Sequence, residues 1–270
     1  MGAGIAHAFL LAGANVVVVE RDDESADAAA TRIRESLGRS IERGATTRTR
    51  AELDAALETG IDVARFADRD LVIEAVPEDR ALKSAALARV EGVLPAASAL
   101  ASNTSSISID DLARSLARPH RFLGLHFFNP VPASTLVEVV VGSRTDSALA
   151  DAARGWVDAI GKTPVVVSDS PGFASSRLGV MLGLEAIRML EEGVASAADI
   201  DAAMELGYRH PTGPLRTTDI VGLDVRLGIA EELHAALGPR FEPPALLRRM
   251  VAEGRLGRKS GEGFYVWENE

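Results

Sequence analysis

The chain has no cysteine among its 270 residues. That excludes disulfides, zinc-thiolate centres and thiol nucleophiles, and it makes a reducing cytoplasm the default compartment. Long apolar runs are absent too: no stretch reaches the roughly 18 uninterrupted apolar residues that mark a transmembrane helix. The first 19 residues are mostly apolar, but they lack a basic n-region and are interrupted by Gly2, Gly4, His7, Gly13 and Asn15, so they do not read as a signal peptide. Positive charge is in deficit as well. With 29 Lys and Arg against 39 Asp and Glu, the formal charge of -10 repels nucleic acid and anionic membranes, and neither is expected as a partner.

What is present is an ordinary globular composition, 47% hydrophobic and 25% charged, enough for one large or two ordinary domains. The most informative stretch runs from Phe122 to Val140. Leu136-Val137-Glu138-Val139-Val140 reads as a buried strand with a carboxylate in its middle, and an ionised carboxylate there costs several kcal/mol unless it is paired. Residues 122–126 form another short apolar run ending in His126, and Pro130 and Pro132 force a loop that returns the second run beside the first. His126 is therefore the nearest candidate partner for Glu138. An imidazole held by a buried carboxylate is a general base with a fixed tautomer. A histidine beside phenylalanines also has a plain reading as a satisfied core residue.

The rest of the chain alternates. Residues 3–12 read as a helix stopped by Gly13, and Val16-Val17-Val18-Val19 as a strand covered on both faces. Glu20 ends that strand, where in a dinucleotide fold an acid accepts hydrogen bonds from ribose hydroxyls and selects NAD over NADP. The bland alternative is a charge at a strand end. Residues 23–43 are a polar helix, and Thr49-Arg50-Ala51-Glu52 is a capping box opening a second helix that Gly60 closes. The arginines of these arms (Arg32, Arg34, Arg39, Arg43, Arg48 and Arg50) read as a solvated face or as contacts for a nucleotide phosphate. A strand over 70–76, a helix over 78–92 and a strand near 99–101 follow, the last running into Ser102-Asn103-Thr104-Ser105-Ser106. This rhythm means right-handed parallel crossovers and a doubly wound sheet, whose ligands bind at the carboxyl ends of the strands.

After a helix over 147–160 and a strand over 164–168, Asp169-Ser170-Pro171-Gly172-Phe173 has turn composition and marks a domain boundary. The expected fold class is α/β: a doubly wound, Rossmann-type domain over 1–168, then an all-α domain over 169–270. Residues 177–192 are apolar almost all round, which predicts burial on more than one side, most simply by a second subunit.

The chain resembles the L-3-hydroxyacyl-CoA dehydrogenase family over essentially its whole length. The markers are Gly2-Ala3-Gly4-Ile5-Ala6, Glu74-Ala75-Val76-Pro77-Glu78, Ser102 to Ser106, Gly124 to Pro132, Ser170-Pro171-Gly172-Phe173, His210-Pro211-Thr212-Gly213-Pro214 and Gly261-Glu262-Gly263-Phe264-Tyr265. Carried over position by position, the resemblance implies that His126 is the base and Glu138 its orienting partner. It also implies that Ser105 and Asn129 bond the substrate carbonyl and the nicotinamide, and that Gly2, Glu20, Ala75, Glu78 and Lys83 contact NAD. Ser176 stands where relatives usually carry Asn and is kept as a substrate contact. The helical half would form a homodimer and close over an acyl-CoA.

The function so implied is hydride transfer between NAD and the C3 hydroxyl of a 3-hydroxyacyl-CoA, in cytoplasmic fatty-acid or short-chain acyl-CoA metabolism, with no metal. One rival is an NAD-dependent dehydrogenase of a polar, gulonate-like hydroxy acid, which Phe127 and Phe128 disfavour. Another is a nucleotide-binding homologue without turnover. The family's cofactor fingerprint normally reads Gly-x-Gly-x-x-Gly after a first strand, whereas Met1 here directly precedes the last of those glycines. The expectation is that the reading frame continues upstream by about ten residues encoding that strand and Gly-x-Gly-x.

Overall fold

In the computed structural model, which describes residues 1–268, the chain opens directly into helix α1 (Gly2–Leu11). Strand β1 (Val16–Val19) follows, then α2 (Asp23–Glu42), α3 (Arg50–Ala55) and strand β2 (Leu57–Gly60). The starts of the two arm helices are set locally. Asp22 accepts from the Ser25 amide at 2.7 Å to cap α2, and Thr49 with Glu52 forms the reciprocal capping box of α3. The second helix does not run on to Gly60, however. It ends at Ala55, and Leu57–Gly60 extends as β2, parallel to β1 from Val16 opposite Leu57 to Val19 opposite Gly60. A four-residue strand with one buried side chain is too short to show a period of two, and a distant ladder decides its conformation.

The remainder of this part is β3 (Leu71–Glu74), α4 (Arg80–Glu91), β4 (Ala99–Ser102), α5 (Ile109–Ala113), β5 (Phe122–Phe127), β6 (Leu136–Val141), α6 (Ser147–Ala159) and β7 (Thr163–Ser168). The five strands form one sheet in the order β3-β4-β5-β6-β7, parallel throughout except between β5 and β6. β1 and β2 form a separate two-stranded sheet. Helix α1 covers both: Ile5 and Ala8 pack with β3 to β6, while Ala6 and Leu10 pack with β1, α2 and α3. The four valines of β1 are half-buried and not covered on both faces as their run predicts, because the two-stranded sheet gives β1 a ladder with β2 alone.

The chain divides into two compact units, residues 1–169 and the residues from Ser170 onward. The first is a Rossmann-like α/β unit. Its core joins Ala99, Ala101, Leu123, Leu125, Val137 and Val139 to Leu149, Ala153 and Val157 of α6.

The second unit is helical: α7 (Ser175–Glu191), α8 (Ala197–Tyr208), α9 (Pro214–Val221), α10 (Leu223–Leu237) and α11 (Ala245–Ala252). Val180, Leu184, Ile187, Leu215, Leu223, Leu233, Phe241 and Leu247 make its core. Two buried carboxylates tie the tail to it. Asp201 accepts from the Leu215 and Arg216 amides and the Tyr265 hydroxyl, and Asp219 from the Phe264 and Tyr265 amides and Trp267 Nε1. Among the described residues no helix is long and apolar enough to cross a membrane.

Candidate active site

The antiparallel step between β5 and β6 sets His126 opposite Glu138. Nδ1 of His126 and Oε2 of Glu138 are 2.8 Å apart, with the residues 4% and 1% exposed. The carboxylate can only accept, so Nδ1 donates, and the neutral ring then carries its lone pair on Nε2. The Phe128 ring lies 4.5 Å from the imidazole, centroid to centroid, adding an apolar wall. Asn103 braces the end of β5, its Oδ1 accepting from the Phe127 amide at 2.8 Å.

Ser105 lies in the loop leaving β4, and that loop hangs on Glu78. Glu78 Oε1 accepts from Thr104 Oγ1 at 2.6 Å and from the amides of Ser105 and Ser106 at 2.9 and 3.0 Å. Burial alone would raise the Glu78 pKa. The Thr104 hydroxyl, the Lys83 charge and the two amides outweigh it and hold the carboxyl below its ordinary value. The Ser105 hydroxyl takes no partner among the described residues and can meet a ligand oxygen. Lys83 is 1% exposed, with its ammonium on Glu74, Glu78 and the Val76 carbonyl.

The residues expected at the nucleotide lie at element ends. Helix α1 starts at Gly2 without a side-chain cap, and a Cβ on Gly2 would stand 3.8 Å from that of Ala75, just beyond β3. Glu20 follows the last residue of β1 and is held by its amide to the Gly60 carbonyl. Uncapped amides at a helix start suit a pyrophosphate, and an acid at a strand end suits ribose hydroxyls, so these residues fit NAD.

Asn129 is exposed in the β5–β6 connection, joined to Pro130 by a cis peptide bond. Lys162 pins that connection by donating to the Val131 and Ser134 carbonyls. Ser176 belongs to α7 in the second unit. Of the arm arginines, Arg34 and Arg50 pair with Asp54, and Arg48 donates to the Leu10 carbonyl. Arg34 and Arg50 thus have structural partners in the arm itself, and Arg48 has one on α1.

The sequence placed Ser102 to Ser106 together at the carboxyl end of a strand but assigned no individual role to Glu74, Ser102, Asn103 or Thr104, which together hold the Ser105 loop and the end of β5. A signal existed for one of them. Glu74 closes an apolar strand just as Glu138 interrupts one, and the same demand for a partner applies.

A Rossmann-like sheet with a buried histidine–carboxylate pair at a strand end is the build of a nucleotide-dependent dehydrogenase. Residues 1–170 match the family "3-hydroxyacyl-CoA dehydrogenase, NAD binding domain", and residues 172–267 match "3-hydroxyacyl-CoA dehydrogenase, C-terminal domain". A 3-hydroxybutyryl-CoA dehydrogenase of Mycobacterium tuberculosis is 44% identical, over 99% of this chain and 95% of its own length. A probable 3-hydroxybutyryl-CoA dehydrogenase of Deinococcus radiodurans is 42% identical, over 99% of this chain and 96% of its own. The crystal structure of (S)-3-hydroxybutyryl-CoA dehydrogenase PaaH1 from Ralstonia eutropha matches with a TM-score of 0.94 at 39% identity, covering 100% of this chain and 96% of that one. The chain belongs to the 3-hydroxyacyl-CoA dehydrogenase family. It is an NAD-dependent dehydrogenase.

Proposed function

We propose that the chain interconverts a 3-hydroxyacyl-CoA and the 3-oxoacyl-CoA, with His126 as the base. The observation that carries this reading is the His126–Glu138 pair, buried and 2.8 Å apart. In the oxidative direction His126 Nε2 takes the proton of the C3 hydroxyl. Nδ1 stays on Glu138, so the imidazolium charge forms beside a carboxylate that is already in place. Bound NAD supplies the acceptor for the C3 hydride. Ser105 and Asn129 donate to the oxygen on which charge develops. Gly2, Glu20, Ala75, Glu78 and Lys83 hold the nucleotide, and Ser176 contributes to substrate binding.

The names of the relatives support a short acyl chain, and the Phe128 ring against His126 supports an apolar substrate over a polyol. The reading extends to a homodimer built on the helical unit, to a role in fatty-acid oxidation or related acyl-CoA metabolism, and to the cytoplasm. Support for the dimer comes from apolar side chains that a single chain leaves open on that unit, Leu178 at 70% exposure among them. The test is NADH oxidation followed by absorbance with acetoacetyl-CoA, longer 3-oxoacyl-CoAs and gulonate with NAD. Turnover of an acyl-CoA is expected; turnover of gulonate alone, or of nothing, overturns the reading.

A further inference from the structure

Lys83 is the most thoroughly buried cation of the first unit, 1% exposed. Its Nζ lies 2.9 Å from Glu74 Oε1, 3.0 Å from the Val76 carbonyl and 3.3 Å from Glu78 Oε2. The first two contacts are hydrogen bonds and the third is an ion pair, so Lys83 ties Glu74 to Glu78.

Glu74 is the buried anchor of this group. Oε1 also accepts from the Val76 amide at 2.6 Å, and Oε2 accepts from the Ser102 hydroxyl at 2.6 Å. It therefore grips the last residue of β4, from which the Ser105 loop departs, while its other oxygen holds Lys83. Lys83 in turn faces Glu78, whose Oε1 gathers the Thr104 hydroxyl, the Ser105 and Ser106 amides and the Ser106 hydroxyl at 3.2 Å. Glu78 is 38% exposed along its side chain, so without the buried cation behind it water would compete for its oxygens. Glu74 holds the ammonium aimed at Glu78.

We propose that Glu74 is a positioning residue for Ser105: it acts through Lys83 and Glu78 to fix the loop over residues 104–106 in the geometry the reaction needs. The proposal rests on the dehydrogenase reading for its kinetic readout and on backbone geometry for a second, independent one.

The experiment uses the full chain and compares wild type with Glu74→Gln, Lys83→Met and the pair of changes together. Each single change is expected to lower kcat with acetoacetyl-CoA on the order of 10- to 100-fold, as a displacement of about 1 Å at a site does. NADH affinity in Glu74→Gln should stay within about threefold. The pair removes both buried charges, so its thermal midpoint should return towards wild type while kcat stays low, because Glu78 is still unanchored. Recovery of kcat together with stability would reduce the network to a structural pillar and overturn the proposal. So would wild-type kinetics in Glu74→Gln, or a loss of NADH affinity in Glu74→Gln as large as its loss of kcat. Hydrogen exchange at the Ser105 and Ser106 amides decides the matter even where wild type turns over nothing: it should be slow in wild type and faster in Glu74→Gln, and equal rates refute the idea.

Discussion

At the scale of the residue, the chemistry turns on a carboxylate at 1% exposure. Glu138 pairs with the His126 ring, so removing the ring deletes both the base and that pairing. His126→Ala is expected to lower kcat by about 10²- to 10⁴-fold while NADH affinity holds. Glu138→Gln can still accept from Nδ1 but no longer stabilises the imidazolium, so kcat should fall and the fold survive. Retention of more than about a tenth of kcat in His126→Ala, with chemistry limiting the wild-type rate, would remove His126 from the role of base. Glu78 gives a prediction in pH. Its carboxyl is held below the usual value, so its bonds to the loop stabilise the native state above about pH 4.3, the ordinary glutamate value, and are lost as pH falls through the lower native one. The difference in thermal midpoint between wild type and Glu78→Gln should therefore shrink between about pH 7 and pH 3. A constant difference would show that the ionised form carries no such role. Glu74 closes an apolar strand as Glu138 interrupts one, yet only Glu138 was legible as a paired group. Its partner lay one short loop away, whereas the partner of Glu74 sits on a helix whose other basic residues, Arg80 and Arg89, face water.

Elements were legible where the signal is local. The capping box at Thr49 starts α3 as its residues require, and the two runs around Pro130 return beside each other. β2 was not legible, because what makes Leu57–Gly60 a strand is the ladder to Val16–Val19, across two intervening helices. The tail motifs show the opposite case, a pattern visible in sequence whose reason is visible only in space. A Cβ on Gly263 would stand 2.2 Å from Asp219 Oδ1, and one on Gly213 would stand 2.2 Å from Asp201 Cβ. Asp219 cannot yield, since it accepts three hydrogen bonds from the segment that carries Gly263. Gly263→Ala is therefore expected to destabilise the helical unit by about 1 to 3 kcal/mol, read as a lowered denaturation midpoint. The contrasting change Gly228→Ala, on α10 where a Cβ meets nothing, should leave the midpoint unchanged or raise it slightly. Equal effects of the two changes would mean that the close approach to Asp219 is not what fixes a glycine at 263.

For the whole molecule, composition and charge set the class, and the order of strands and helices set the architecture. The division of the sheet into two pieces was not legible, since strand pairing is long-range and each strand here is only four to six residues long. The reading of residues 177–192 as apolar all round bears on assembly. In the single chain α7 buries Val180, Leu184, Ala186 and Ile187, while Leu178 faces out. Ile220, Val221 and Val225 are each more than two-fifths exposed, and they sit on α9 and α10, which pack on α7 and on each other. Burying such side chains yields about 1.5 to 3 kcal/mol apiece, enough for a few of them to favour association over an open surface. The chain of 28.5 kDa is therefore expected to sediment at twice that mass at micromolar concentration. Leu178→Asp should shift it towards the monomer and make its thermal midpoint depend on protein concentration, because a charge would then have to be desolvated in the interface. A wild-type protein that sediments as a single species at the mass of one chain would end the idea of a homodimer.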